Sequence, residues 1–301
     1  MDYKQIEAFV YVVRHKSFSK AADAIYLTQP TVSAHISSLE NELGIKLIDR
    51  STKEIYPTAA GKIFFEHAQN LISIRDNAIF ALKDFSTSIE GNLEIAASTV
   101  PSQYIIPELI MAFRHNYNSI ILNLIQLDTK QVIEDLLDKR YEIGIVGSLM
   151  EHNRLVYEKL IDDKLVLITP NTRKYAEMTN KTYSINQLLN EQFIFRETGS
   201  GTRQSFEKFL LQSNINPKSI NIVAQINSLE AIKQAVSLGL GVSIVSAISV
   251  EDYIRNGMLK AFEIENFPIS RQFYIVHHKN RPISPITNAF REFALKYYDM
   301  K

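Results

Sequence analysis

The sequence predicts a multi-domain protein with a small all-α N-terminal domain, one long helix, and a C-terminal α/β domain of two lobes. The chain has 301 residues, more than one hydrophobic core usually spans. Residues 1–57 read as short amphipathic helices, and strand-like and helical runs alternate from Gly91 onward, as in α/β domains. We place the domains at 1–58, 59–90 and 91–301, with lobe I at about 91–162 and 267–301 and lobe II at about 163–266.

The composition narrows the class of protein. Thirty-three basic residues balance 33 acidic ones. This balance argues against nucleic-acid binding through the charge of the whole surface, but it is compatible with binding through a local basic patch. The absence of cysteine excludes disulfides and thiolate metal sites. The opening MDYKQIEAF lacks the apolar segment of a secretory signal, and no apolar run approaches the roughly 18 residues of a membrane helix. We expect a cytoplasmic protein with no membrane partner.

Three short helices are predicted first. Ser17 or Ser19 suits the N-cap of the second, and Thr28 that of the third, because their hydroxyls accept free amide hydrogens of a first turn. Pro30 fits the first turn of the third helix, and Gly44 ends it. The apolar faces are Ile6, Phe9, Val10 and Val13 in the first helix, Phe18, Ala21, Ala22 and Ile25 in the second, and Val32, Ile36, Leu39 and Leu43 in the third. KLIDRSTKEIYPT follows as two short strands around a polar turn.

The second and third helices have the spacing of a helix-turn-helix, which inserts its second helix into the DNA major groove. Short or amide-bearing side chains on that helix permit close approach to base edges; Gln29 suits adenine and Thr31 a thymine methyl. Lysine and arginine around it suit phosphate contacts. The candidate DNA-binding residues are Gln29, Pro30, Thr31, Ser33, Ala34, His35 and Ser37 on the helix, with Lys20, Arg50 and Lys53 around it. A plain helical domain with a solvated Ser/Thr face remains the alternative from the pattern alone.

One long helix is predicted from Thr58 to about Ser88. Its apolar positions recur in steps of three and four, the spacing of a coiled-coil seam. They are Ile63, His67, Leu71, Ile74, Ala78, Ala81 and Phe85. We therefore interpret this helix as a dimerisation linker, with a core helix of one domain as the alternative.

The C-terminal domain is predicted to contain largely parallel sheet. Eight strand candidates are NLEIAAS, IILNLIQL, YEIGIVG, KLVLITP, FIFR, INIVAQI, GVSIVS and RQFYIVHH. Hydroxyl-bearing residues follow several strands where helices begin, and helix N-termini attract anions. We therefore expect a small anionic or polar effector between the lobes. Each hydroxyl taken singly is better explained as a helix N-cap, and it is their recurrence after successive strands that favours a ligand.

The stretch FSKAADAIYLTQPTVSAHISSLENELGIKLIDRS, followed by YPTAAGKIFFEHA, resembles the winged helix-turn-helix of LysR-type transcriptional regulators. The resemblance extends over the whole chain and implies a dimerisation linker and an effector domain similar to periplasmic solute-binding proteins. It implies a homo-oligomer, a homodimer through the linker and commonly a homotetramer, that binds double-stranded DNA at an operator near its target promoter. RNA polymerase is a further candidate partner, and no cofactor is implied.

The resemblance also carries over an effector-binding set. Its members are Ser98, Thr99, Ser102, Gln103, Thr129, Ser148, Thr198, Ser200 and Thr202. Arg196 or Arg203 is a candidate to neutralise a carboxylate or sulfate, with a surface salt bridge as the equal alternative for either. ASTVPSQYIIP resembles the branch of the family tied to sulfur and selenium metabolism. The recognition helix departs from many members in carrying Ala34, His35, Ser37 and Ser38 where Arg or Lys is common, so His35 is its only titratable outer group.

Two other classes of protein compete with this interpretation. An enzyme lacks support, because the chain contains no nucleophile elbow, P-loop, dinucleotide fingerprint or zinc-protease motif, and the histidines are too scattered for a metal centre. A cytoplasmic solute-binding protein with a structural helical N-terminus would account for the α/β domain alone. The helix-turn-helix favours a DNA-binding regulator modulated by a small effector.

Overall fold

The computed structural model describes residues 1–49, 55–83, 91–178, 182–267 and 270–299. The described chain divides near residue 90 into two compact units, and the short segment Asn280–Asn288 groups with the first. Each unit is described by itself below. No helix among these residues has both the length and the apolar character needed to cross a membrane.

The N-terminal unit has three short helices, a two-stranded ribbon and a long helix. Their bounds are α1 Tyr3–His15, α2 Phe18–Ala24, α3 Gln29–Leu43, β1 Ile48–Asp49, β2 Tyr56–Pro57 and α4 Ala59–Lys83. The predicted caps are confirmed: Ser17 accepts from the Lys20 amide, Thr28 accepts from the Thr31 amide, and Gly44 ends α3 in the left-handed conformation at φ 67°. The ribbon pairs antiparallel, as the winged form requires. The turn that joins its strands lies outside the described residues.

Aromatic and aliphatic side chains form the core of this unit. Phe9 of α1 is fully buried, and its ring lies 5.3 Å from Phe64 and 6.3 Å from Phe65 of α4. These contacts attach the first half of α4 to the helical domain. The prediction that Leu43 is buried is wrong, because the left-handed residue Gly44 ends the last turn of α3 there and Leu43 is 39% exposed.

Glu40 takes a buried position one turn before Leu43. Its side chain is 1% exposed, and Oε1 accepts from the amides of Leu47 and Ile48 at 2.9 and 3.1 Å. Lys46 donates to Oε2 at 2.8 Å. Burial alone would raise the pKa of the Glu40 carboxyl, but these donors bring it below its ordinary value. The carboxylate thus joins α3 to the start of the wing.

The C-terminal unit alternates strands and helices in two lobes. Its strands are β3 Gly91–Ser98, β4 Ile120–Leu127, β5 Ile143–Val146, β6 Leu155–Pro170, β7 Thr182–Tyr183, β8 Gln192–Phe195, β9 Asn221–Gln225, β10 Ser243–Ser246, β11 Leu259–Ile264 and β12 Ser270–His278. Its helices are α5 Ile106–Asn116, α6 Thr129–Leu137, α7 Arg173–Ala176, α8 Ile185–Leu189, α9 Gly201–Gln212, α10 Leu229–Ser237, α11 Glu251–Arg255 and α12 Pro285–Asp299. A π-helical turn, Pro101–Ile105, precedes α5.

Two long strands connect the lobes. The first half of β6 pairs with β12 beside β3, β4 and β5, whereas its second half pairs with β10 and β11. All eight predicted strands are present, but the expectation of largely parallel sheet is wrong, because β6 and β12 make antiparallel ladders. The sheet is therefore mixed. Three stretches of strand were not predicted from the sequence: the first half of β6, the whole of β7 and the whole of β11.

Lobe II is packed around phenylalanine. The rings of Phe193 and Phe206 lie 5.7 Å apart, and Phe209 meets Phe267 at 4.5 Å. Lobe I is packed by smaller side chains from β3, α6 and β5, among them Ala96, Val132 and Val146. These cores fix the strand ends that line the cleft described below.

Candidate functional site

The outer face of α3 is the candidate DNA-reading surface. None of the candidate residues on the helix is buried: Gln29, Pro30 and Ala34 are exposed, and Thr31, Ser33, His35 and Ser37 are half-buried. The Thr31 hydroxyl lies 2.8 Å from that of Thr28, so it is engaged in the cap. The buried face is Val32, Ile36 and Leu39, which leaves the short polar side chains facing outward as predicted.

The surroundings of α3 carry part of the predicted positive charge. Lys20 is exposed in the first turn of α2. Arg50 and Lys53 lie outside the described residues. Tyr26 lies in the turn just before α3, where its side chain is 93% exposed and its backbone is left-handed at φ 56°. The sequence analysis did not predict this exposed aromatic side chain beside the candidate DNA-reading helix. Its position within the turn of a helix-turn-helix was the available signal, because that turn needs a left-handed residue.

The second candidate site is a cleft between the lobes of the C-terminal unit, with about 260 Å³ of unfilled space when the open solvent at its mouth is included. Lobe I contributes the residues that follow β3 and β4, and lobe II contributes the segment from β8 into α9. Of the predicted effector residues, five line the cleft: Ser98, Thr99, Thr129, Ser200 and Thr202. The convergence of residues at strand ends is therefore as expected.

Ser148 lies beside the same cleft. A Cβ built on Gly201 would lie 2.6 Å from Ser148 Oγ and 2.9 Å from Thr129 Oγ1, so the hydroxyls approach the first turn of α9 closely. Ser148 Oγ is buried and has no hydrogen-bond partner among the described residues. Ser200 is the N-cap residue of α9, yet its side chain makes no cap hydrogen bond. Unused hydroxyls at a helix N-terminus suit an anion.

Three predicted residues stand apart from the cleft lining. Ser102 and Gln103 both donate to Gln126 Oε1, at 2.9 and 3.0 Å, because the π-helical turn directs them along β4 rather than across the lobes. Thr198 is exposed on the loop before α9. The predicted set is therefore wider than the residues that the fold brings together.

Two arginines supply positive charge to the cleft. Arg196 follows β8, and its Nη2 donates to Thr99 Oγ1 at 3.1 Å across the lobes. Arg271 of β12 donates from Nη1 to Thr202 Oγ1 at 3.0 Å and from Nε to Asp163 at 2.7 Å. Burial lowers the pKa of Arg271, Asp163 opposes that effect, and the nearby Arg196 lowers it further. Arg271 was missed, because nothing near it in sequence marks it.

Acidic groups also reach the cleft. Glu197 pairs with Arg196, and Asp128 accepts from the Gln131 amide at 2.8 Å as the N-cap of α6. No group of three His, Cys, Asp or Glu suited to a metal ion occurs within the described part of the chain. The arrangement of two guanidinium groups, hydroxyls and helix N-termini favours binding of a small anion over metal chemistry.

Two family models match the chain in succession. Residues 3–62 match the bacterial regulatory helix-turn-helix protein of the lysR family, and residues 86–299 match the LysR substrate binding domain. The first match contains the candidate DNA-reading helix, and the second contains the whole cleft.

Curated relatives match along nearly the full length. They include the transcriptional activator CmpR of Synechocystis sp., at 32% identity over 97% of this chain and 94% of the relative. The RuBisCO operon transcriptional regulator of Allochromatium vinosum is 33% identical over 97% of this chain and 95% of its own length. CysL of Bacillus subtilis is 30% identical over 92% of this chain and 91% of its own length.

Solved structures agree with the fold. A full-length OxyR from Pseudomonas aeruginosa covers 98% of this chain and 94% of its own, with a TM-score of 0.76 at 19% identity. The regulatory domain of Synechocystis CcmR, solved in complex with 2-PG, covers 69% of this chain and 98% of its own, with a TM-score of 0.63 at 28% identity. On these matches the chain belongs to the LysR family of bacterial helix-turn-helix regulators, and it is a transcriptional regulator rather than an enzyme.

Proposed function

We propose that this regulator reads its operator through the outer face of α3 and responds to a small anion in the cleft between its lobes. The observation that supports the second part is a pair of guanidinium groups among hydroxyls and the first turn of α9: Arg196 is buried, and the side chain of Arg271 is 10% exposed. The alternative, a solute-binding protein with a structural N-terminus, does not account for the helix-turn-helix match.

DNA readout is assigned to Gln29, Pro30, Thr31, Ser33, Ala34, His35 and Ser37, with Lys20, Arg50 and Lys53 as phosphate contacts. This assignment can be tested by first selecting a high-affinity operator from random DNA sequences and then measuring binding to that operator and to random DNA. Gln29→Ala should lose about 1–3 kcal/mol of discrimination if it contacts a base. Ser38→Ala is the matched control, because the Ser38 hydroxyl already accepts from Gln5 of α1 at 3.1 Å. If both variants discriminate equally well between the operator and random DNA, Gln29 does not contribute to sequence recognition.

The anion in the cleft is proposed to be a carboxylate, phosphate or sulfate compound. The 2-PG complex of CcmR, whose matched domain is 28% identical, supports a phosphorylated acid. A thermal-shift titration of the full chain tests the class: an anion at 100 times its dissociation constant adds about 2.7 kcal/mol. Ser200→Val should remove the shift. No shift with any phosphate, sulfate or carboxylate would contradict the anionic cleft.

The proposal of a sulfur or selenium branch rests on the ASTVPSQYIIP motif. CysL is one of the matched relatives, but CmpR and the RuBisCO regulators match at similar identity. Sulfate, thiosulfate and selenate therefore belong in the same titration. A shift with a phosphorylated acid and none with these anions would assign the protein outside that branch.

A dimer is proposed through the face of α4 that carries Ile63, His67, Leu71, Ile74 and Ala78. All five side chains are exposed within the single chain, with Ile63 at 66% and Ile74 at 57%. Ala81 lies on α4 but its side chain is not described, and Phe85 lies outside the described residues. The apolar face needs a partner helix. Analytical ultracentrifugation of the full chain would separate the proposed dimer, the tetramer common in the family, and a monomer.

The remaining parts of the proposal follow from family membership. They are an operator near the target promoter, contact with RNA polymerase, and a cytoplasmic location. We also propose the domain boundaries 1–58, 59–90 and 91–301. Limited proteolysis with mass spectrometry would test them, because cleavage should concentrate near residue 90 if the α/β domain folds independently.

A further inference from the structure

Arg196 and Glu197 form a bidentate ion pair inside the cleft. Arg196 Nε donates to Glu197 Oε2 at 2.8 Å, and Nη2 donates to Oε1 at 2.7 Å. Two parallel bonds of this kind are the geometry in which a guanidinium group binds a carboxylate or a phosphate. The Glu197 carboxylate therefore takes the position on Arg196 that the anionic group of a ligand would need.

The second guanidinium group of the cleft is paired differently. The Arg271 partner, Asp163, is 3% exposed, lies on another strand, and is fixed by the Ser246 hydroxyl at 2.5 Å. Glu197 is 21% exposed and begins the loop that leads into α9. Asp163 is thus a permanent counterion, whereas Glu197 is free to turn toward solvent.

The charges around the cleft make this exchange necessary. Two guanidinium groups face three carboxylates, those of Glu197, Asp163 and Asp128. Asp128 is held as a helix cap and packs against Gly199. An arriving anion therefore meets net negative charge until Glu197 leaves. Once Glu197 leaves, Arg196 offers its two donors while Nη2 keeps its bond to Thr99.

We propose that Glu197 is a built-in competitor that sets the charge an effector must carry. A monocarboxylate ligand would replace the Glu197 carboxylate on Arg196 by another carboxylate of the same charge. It binds poorly against Glu197, because a neighbouring residue in the same chain has a high effective concentration. A doubly charged phosphate or sulfate group gains a stronger interaction with the two arginines. Glu197 thereby selects dianions. This inference rests on the proposed anion-binding function of the cleft.

The test is isothermal titration calorimetry of the full chain, which measures the dissociation constants of glycolate and of 2-phosphoglycolate. The two ligands differ by the phosphate group. Wild type should bind 2-phosphoglycolate and discriminate strongly against glycolate. Glu197→Gln should tighten glycolate binding by about 10- to 100-fold, the factor expected for charge-assisted hydrogen bonds released from a competitor. It should tighten 2-phosphoglycolate less, so that the discrimination shrinks.

Glu177→Gln is the matched control. Glu177 pairs with Arg173 Nε at 2.6 Å and does not line the cleft, so its removal should leave both affinities unchanged. Glu197→Ala, checked for folding by circular dichroism, guards against an effect specific to glutamine. If wild type binds 2-phosphoglycolate and both Glu197 variants bind glycolate no more tightly than wild type, Glu197 is not a competitor. If no variant binds either anion, selection of dianions by Glu197 is refuted, and the thermal-shift titration with the wider set of phosphates, sulfates and carboxylates decides separately whether the cleft binds an anion at all.

Discussion

The buried ion pair between Asp163 and Arg271 gives the sharpest prediction for stability. Asp163→Asn keeps the shape of the side chain but removes its charge, which leaves the Arg271 guanidinium buried without a counterion. The side chains are 3% and 10% exposed, and the Nε to Oδ2 distance is 2.7 Å. Breaking such a pair by removing one partner costs about 3–5 kcal/mol.

That loss should be visible in thermal unfolding. For a domain of this size each kcal/mol lowers the midpoint by about 2–4 °C, so the variant should unfold roughly 6–20 °C below wild type. Adding Arg271→Met to Asp163→Asn should recover much of the loss, because the unpaired charge disappears with it. The measurement is differential scanning calorimetry of the full chain at constant salt.

Glu177→Gln provides the control. Glu177 pairs with Arg173 at 2.6 Å, but the two side chains are 64% and 90% exposed. Solvent screens such a pair, and its loss should move the midpoint by less than about 2 °C. If Asp163→Asn unfolded within 2 °C of wild type, or if Arg271→Met made the loss larger, the ion pair would not be an important source of stability.

Three further predictions concern the N-terminal unit. Glu40→Gln should lower the free energy of unfolding in urea by about 1.5–3 kcal/mol at pH 7. The folded pKa of Glu40 lies below the ordinary 4.5, so the stabilisation by its carboxylate is complete above that value and is lost as the pH falls through the folded pKa. The difference between the variant and wild type should therefore vanish in acid. Tyr26→Asn should raise the free energy of unfolding by about 0.5–1 kcal/mol, since the exposed ring contributes little packing and asparagine tolerates positive φ; a loss of stability would contradict this. Ile74→Asp should shift the sedimenting species to the 34.4 kDa monomer, whereas Leu211→Asp, an exposed apolar control on α9, should not; identical oligomers would exclude the α4 face.

Local sequence signals identified the N-terminal elements well. Thr28, Pro30 and Gly44 mark the start and end of α3, and each acts on backbone groups only a few residues away. The periodic seam of α4 named seven positions, and the five whose side chains are described are all exposed in the single chain. The same reasoning failed at Leu43, because a pattern of apolar spacing does not reveal where the packing partner ends.

The cleft was predicted only in part. Ser98, Thr99 and Ser200 were found because hydroxyls at the ends of strands are visible in the sequence. Arg271 was not, because its contacts with Asp163 and Thr202 join positions 108 and 69 residues apart. The antiparallel ladder between β6 and β12 places Arg271 opposite Asp163, and the position of α9 adds Thr202.

The sequence by itself determined the helix-turn-helix, the exposed seam of α4 and the alternation of strands and helices, because caps and periodicity act within a few residues. Only the tertiary structure decided that the sheet is mixed and that Arg196 and Arg271 face one cleft. Those facts depend on strand pairing and register between distant segments, and pairing energies are distributed over the whole core rather than written at any one position.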